Sequence, residues 1–430
     1  MGENNSFSAI FRHVPLPRMV EVRQTFERQS IPLEKIRETV YAELSGEKFR
    51  ELIKPGQRIC ITAGSRGICN IVEILRSLVC FCKDRGAQPF IVPAMGSHAG
   101  ATAEGQLAML EHLGITEDSM GCPILSSMET VNLGTTESGY PVHIDKNAFE
   151  ADGIIACGRV KLHTAFRGDY ESGIVKMLTI GLGKQKGAST CHSAGYALFP
   201  KILPEIAFEM LERAKIIMGF AILENAYDET YQLTALTRDE IKTKEPELLR
   251  LAASKMARIM TGPCDVLIID EMGKNISGEG SDPNVAGTFA VTTASGGLQA
   301  NKRACLSLTP ISAGNALGIG ALDVISRRLY ESIDFAAMYP NVITTHEFNF
   351  GKIPVVAETD RDVIQLCLYG SAAEDPKKAR MVRIKNTLEL EKIYVSEAMI
   401  PEISGDPNLE IIGEPIEFRF DEEGRLMTGF

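Results

Sequence analysis

The segment ADGIIACGRVKLHTAFRGDYESGIVKMLTIGLGKQKGASTCHSAG, residues 151–195, joins an apolar run to a glycine-rich tract that carries two of the seven histidines, His163 and His192. Gly153 to Cys157 reads as a strand buried on both faces, and Gly158 opens the turn after it. In open α/β sheets ligands collect beyond the carboxyl ends of the strands, so His163 and Arg167 stand where site residues stand. Lys176 lies between the histidines, in Gly173-Ile-Val-Lys-Met-Leu-Thr-Ile-Gly181, with apolar neighbours on both sides. Such a lysine either snorkels from a half-buried helix or sits in a desolvated pocket, where its amine becomes a nucleophile or an attachment point. The segment alone favours snorkelling.

Upstream, Arg58 to Thr62 reads as a strand, followed by the loop Ala63-Gly-Ser-Arg-Gly67 and a helix capped by Asn70 that runs to Arg85. Pro89 to Pro93 is the next strand, then a loop from Ala94 to Thr102 and a helix from Ala103 to His112. Strand, loop and helix twice over imply a parallel sheet with right-handed crossovers. Arg66 and His98 therefore occupy equivalent places, and small residues around them let a ligand approach the backbone and its amides. Before this lie a short strand pattern, Ile10 to Val14, and a helix from Pro32 to Leu44.

Downstream, Leu203 to Lys215 is helical, Ile216 to Leu223 is a strand, and an amphipathic helix from Thr237 to Met260 ends at Thr261-Gly-Pro263. A second strand-initiated unit follows: Asp265 to Asp270, the glycine-rich loop Met272 to Gly287, a strand from Arg303 to Leu308 and a helix from Ala321 to Ser332. The expectation is an α/β protein of two domains. Residues 1–262 form a Rossmann-like catalytic and cofactor domain, residues 263–430 a smaller α/β domain, and the site lies in the cleft.

At 430 residues the chain exceeds a single ordinary core, and its 44% hydrophobic and 23% charged residues are the balance of a globular protein. The 45 basic and 56 acidic residues leave a formal charge of −11, without a basic block, which disfavours nucleic acid or an anionic membrane as partner. The first thirty residues lack an apolar signal core, and no run of about eighteen apolar residues follows, so the expected location is the cytoplasm. The ten cysteines form no CxxC pair and sit mostly in apolar runs, as core thiols do in a reducing compartment.

Two patterns are set aside. Gly181-Leu-Gly-Lys-Gln-Lys-Gly187 misses the dinucleotide spacing by one residue, and Gln185 stands where a P-loop needs Ser or Thr. Asp169 and Glu171 read equally as an acid/base pair or as solvated loop charges.

Gly64-Ser-Arg66, Gly96-Ser-His98, His163, Lys176 and His192-Ser-Ala194, sixteen residues after that lysine, together resemble the nickel-pincer-nucleotide lactate racemase family. The resemblance implies a racemase or epimerase inverting C2 of a 2-hydroxy acid. It makes Lys176 the thioamide tether of the nickel-pincer nucleotide, with Lys184 as fallback, and His192 the nickel ligand. His98 and His163 become acid/bases on opposite faces, and Arg66 the carboxylate clamp. The family's maturation enzymes become partners; the oligomeric state stays open. Ala63 stands where the racemases carry an acidic residue, and Arg167, Asp169 and Glu171 lengthen a segment that is glycine-rich in lactate enzymes. Both departures imply an acid larger than lactate, such as a sugar acid, with Arg167 or Asp169 on its extra groups. Two other readings remain: a cofactor-less relative that binds an organic acid, and a metal-free enzyme using Lys176 as a Schiff-base amine.

Overall fold

The structure, a computed structural model, describes residues 7–427 and 429–430, in two compact units. The unit Glu27–Met256 is built on a five-stranded sheet in the spatial order Gln88–Pro93, Arg58–Ala63, Gly153–Arg159, Ile216–Glu224 and Thr230–Thr237. Its first four strands are parallel, as the repeated strand, loop and helix pattern requires, and the last returns antiparallel.

Alternation along these strands feeds two cores. Cys60, Phe90, Ile154 and Ala156 point to one face, where the helix Phe199–Arg213 covers them with Ile202, Leu203, Ile206 and Met210. Ile59, Ile61, Ile91 and Ile155 point to the other, beneath Ile74, Leu75 and Leu78 of the helix Ile71–Asp84. A sheet covered on both faces demands apolar residues at consecutive positions, which is why these strands read as unbroken runs. Asn70 precedes its helix in a left-handed conformation without a side-chain cap; its amide donates instead to Thr230 Oγ1 at 3.1 Å.

The other unit comprises Ala257–Phe430 and the described residues up to Phe26, so the N-terminal segment packs with the C-terminal half rather than with the domain expected to contain it. Its eight-stranded sheet runs Val355–Ala357, Val324–Ser326, Ala300–Leu308, Cys264–Met272, Met381–Ile384, Lys392–Ser396, Met19–Gln24, Leu409–Ile416. Two expectations fail here. The first strand is Met19–Gln24, while Phe7–Ile10 is a 3-10 turn followed by buried Phe11 and Val14, a three-residue spacing that belongs to a turn. Ala321 to Ser332 is not one helix: the β-branched pair in Val324–Ser326 adds a strand, and Ser326 then caps the short helix Arg327–Glu331. All ten cysteines are free thiols, eight of them buried. Among the described residues no helix is long and apolar enough to cross a membrane.

Candidate active site

From the Arg58–Ala63 strand the chain builds outward to Gln88–Pro93 on one side, then crosses to Gly153–Arg159 on the other. The strand order therefore reverses between Arg58–Ala63 and Gly153–Arg159, and the carboxyl end of that seam is where α/β sheets open a binding crevice. Thr62 stitches the seam: its hydroxyl donates to the Cys157 carbonyl at 3.1 Å and accepts the Cys157 amide at 2.8 Å. Ser65 and Arg66 follow one strand, Arg159, Lys161 and His163 the other, and His98 the outer neighbour.

His98 is exposed, and its Nδ1 meets the Ser65 hydroxyl at 2.5 Å, tying two of the three loops together. Gly96, two residues earlier, has φ +60°, and a Cβ there would lie 2.8 Å from Ile180 Cγ2, so the loop approaches the 177–182 segment only as glycine. Arg66 reaches the surface at the rim, where surrounding protein and the neighbouring charge of Arg159 weaken its hold on its proton. Arg159 is ion-paired to Glu224, which also accepts the Cys69 amide at 2.7 Å.

His163 is held from several sides. Its Nδ1 accepts the Ala165 amide at 3.0 Å, its own amide donates to Glu171 Oε2 at 2.6 Å, and its ring lies 4.4 Å from that of Phe166. Burial, then the charges of Lys176, His192, Lys161 and Arg167, drive its pKa well below the usual histidine value, so the ring is neutral near pH 7. An amide aimed at Nδ1 places the remaining proton of that neutral ring on Nε2. Glu171 is buried and accepts the His163 and Gly168 amides; Asp169 is exposed. They are not a matched carboxylate pair. Arg167 Nη1 donates to the carbonyls of His163 at 2.6 Å and Phe166 at 3.1 Å and lies 3.4 Å from Glu171, so this nitrogen braces the loop.

Lys176 ends a single helical turn, Ile174–Lys176, that continues as the π-helical segment Met177–Leu182 and then the helix Lys184–Ala194, which carries His192. Widened π turns recur at functional sites. Lys176 is half-buried, and burial first, then Arg66 and Lys161, lower its amine to about 8, against smaller opposing effects of Cys191 and Glu171. The turn is seated by Glu245, whose buried carboxyl accepts the Val175 amide at 3.0 and 3.3 Å. A Cβ on Gly173 would come within 2.1 Å of that carboxyl, so glycine is needed where the two meet. His192 stands in an aromatic wall, its ring 5.8 Å from Tyr196 and 5.3 Å from Phe199, while His163 is 6.2 Å from the same Tyr196.

Lys184 has another use. It is fully buried, paired with Asp145 at 3.1 Å, and donates to the Pro93 carbonyl at 2.5 Å and Gln106 Oε1 at 3.3 Å. These partners make it a strut. Sequence reading missed Ser65, Lys161, Gln106 and Glu245. Lys161 had a signal: it precedes His163 by two residues on extended chain, where alternate side chains share a face. Glu245 had none, because a helix glutamate looks solvated until tertiary packing buries it.

The family model described as the lactate racemase N-terminal domain matches residues 12–198. Among solved structures, the lactate racemase apoprotein of Thermoanaerobacterium thermosaccharolyticum matches with a TM-score of 0.54 and 14% identity, covering 86% of this chain and 99% of that one. A protein from Thermotoga maritima matches at 0.48 and 16%, covering 66% and 72%. No curated protein matches the chain. The family model spans the loops of Arg66, His98, His163, Lys176 and His192, so this part of the chain is similar to the lactate racemase N-terminal domain, and the likeness to the solved structure is one of fold.

Proposed function

We propose that the protein is a racemase or epimerase inverting C2 of a 2-hydroxy acid. The observation that carries this reading is Lys176, a desolvated amine at about 8 at the carboxyl end of the sheet, electrostatically coupled to Arg66 and His163. The residues fit a lysine-tethered nickel-pincer nucleotide. A depressed amine is a competent attachment point, and His192 can offer one imidazole. Among the described residues no three His, Cys, Asp or Glu side chains gather as a metal cage. When bound, such a group supplies a hydride acceptor for C2.

Arg66 holds the substrate carboxylate as a planar fork on a planar anion. The two histidines share the hydroxyl proton, but not equivalently. In this reading His98 donates its Nδ1 proton to the Ser65 hydroxyl 2.5 Å away, which leaves Nε2 as the base that takes it. Neutral His163 carries its proton on Nε2 and donates a hydrogen bond to the substrate oxygen, stabilising charge as it develops. The aromatic wall of Phe166, Tyr196 and Phe199 limits water around the planar 2-keto acid. The extended loop from Arg167 to Glu171 favours a substrate larger than lactate, with exposed Asp169 rather than the bracing Arg167 as the contact for extra hydroxyls.

The test is intact mass and metal analysis on protein produced together with the maturation enzymes, followed by chiral analysis of 2-hydroxy acids and sugar acids. A nucleotide-sized adduct on Lys176 with one nickel per chain, and inversion of one acid, is the expected result. An unmodified chain from cells that make the cofactor removes the reading. The depressed amine also suits a Schiff base with a keto acid. Trapping of a 2-keto acid on Lys176 by borohydride, in protein without adduct, would establish that alternative.

A further inference from the structure

The loop that carries His98 is strained. Ala99, Gly100 and Ala101 have φ of 54°, 70° and 54°, and two of these three left-handed residues bear a Cβ. Such a conformation persists only where its surroundings over-determine it. The tie is Gln106, fully buried on the helix Ala103–His112. Its Nε2 donates to the Gly96 carbonyl at 3.0 Å and lies 3.5 Å from the His98 carbonyl. Its Oε1 accepts from Lys184 Nζ at 3.3 Å, and Lys184 is anchored in turn by Asp145 and the Pro93 carbonyl.

Lys184 is also the first residue of the helix carrying His192, itself in a left-handed conformation with φ 54°. One buried amide therefore connects the strained His98 loop to the start of the His192 helix. We infer that Gln106 is a positioning residue that holds His98 against Ser65 by tying the Gly96–His98 backbone to the buried Lys184 strut. This rests on the proposed role of His98 as base. Both hydrogen-bonding functions of the amide are needed, one toward each side.

Gln106→Met removes both functions at similar volume and introduces no charge. Gln106→Glu keeps the acceptor for Lys184 but loses the donor to Gly96. In protein without cofactor, labelled at histidine and assigned with His98→Gln, both variants are expected to shift the His98 ring nitrogens and its titration midpoint, leaving His13 and His346 unmoved. In loaded enzyme, kcat is expected to fall more than tenfold and the pH limb belonging to His98 to move, with KM and cofactor loading within twofold of wild type.

His98 resonances identical to wild type in both variants would overturn the inference, even if the melting temperature fell, since that pattern is plain core packing. A fall in loading with unchanged kcat per loaded site would overturn it too. If the wild type inverts no acid, the racemase reading fails while the spectra still decide the tie. If Gln106→Met does not fold, the spectra and kinetics of Gln106→Glu decide alone.

Discussion

Lys176 and Lys184 are eight residues apart, on either side of the turn at Gly183, and burial lowers the pKa of both amines. Their surroundings differ in sign. Lys184 faces a carboxylate, Asp145, whose own pKa burial raises, and the pair's mutual attraction opposes both shifts. Lys176 faces the cations Arg66 and Lys161, which act with burial. Burial alone thus does not make a reactive lysine. A matched carboxylate turns a buried amine into a strut, and like charges turn it into a base or nucleophile.

The sharpest way to break this contrast is to neutralise each lysine. Lys176→Met is expected to abolish attachment and turnover while leaving the melting temperature unchanged or raised, because it removes a charge from a cationic crowd. Lys184→Met strands Asp145 in the core and is expected to cost roughly 3–5 kcal/mol, read by denaturant unfolding. Lys184→Met with Asp145→Asn should recover most of that loss, since asparagine keeps the oxygen that accepts the Ala148 amide. Equal destabilisation by the two single variants would erase the distinction.

A second test separates the histidines. His98→Gln removes the proposed base and is expected to lower kcat about 10²- to 10⁴-fold. Glutamine at 163 retains an N–H that can reach the substrate oxygen, so His163→Gln is expected to lose much less. Equal losses would return the two to interchangeable roles. Third, amine labelling followed by peptide mass should show Lys176 gaining reactivity as pH rises through about 8, while Lys184 stays inert in the folded protein.

The covered sheet and the loops beyond its strands were legible because consecutive apolar runs such as Gly153–Arg159 have few other uses, and their ends fix where His98, His163 and Arg66 must stand. The roles of the two lysines were not legible. Apolar neighbours in sequence suggested that Lys176 snorkels, and the residue is half-buried, but what lowers its amine includes Arg66, more than a hundred residues earlier, and its helical turn is seated by Glu245. Asp145 lies on a separate hairpin strand, so nothing local marks Lys184 as paired. The N-terminal segment was misassigned for a similar reason: Met19–Gln24 pairs with Lys392–Ser396 and Leu409–Ile416, at the far end of the chain.

The smallest expected effect comes from Glu245, and it probes the seat of Lys176 rather than the amine itself. Burial raises this carboxyl to about 8, against the opposing hydrogen bonds from Val175 and Ile174, so it folds protonated from an unfolded value of 4.5. A raised folded pKa stabilises fully below the unfolded value and loses that stability as pH rises through the folded one. Wild-type melting temperature should therefore decline between about 4.5 and 8 by a component absent from Glu245→Gln. Glutamine keeps a carbonyl for the Val175 amide and cannot ionise. The variant is expected to melt a few degrees above wild type at pH 8 and at or slightly below it at pH 5, with Lys176 labelling unchanged at the lower pH. Parallel melting curves across this range would mean that the Glu245 carboxyl ionises alike in the folded and unfolded protein, and that burial beneath the helical turn bearing Lys176 does not hold it protonated.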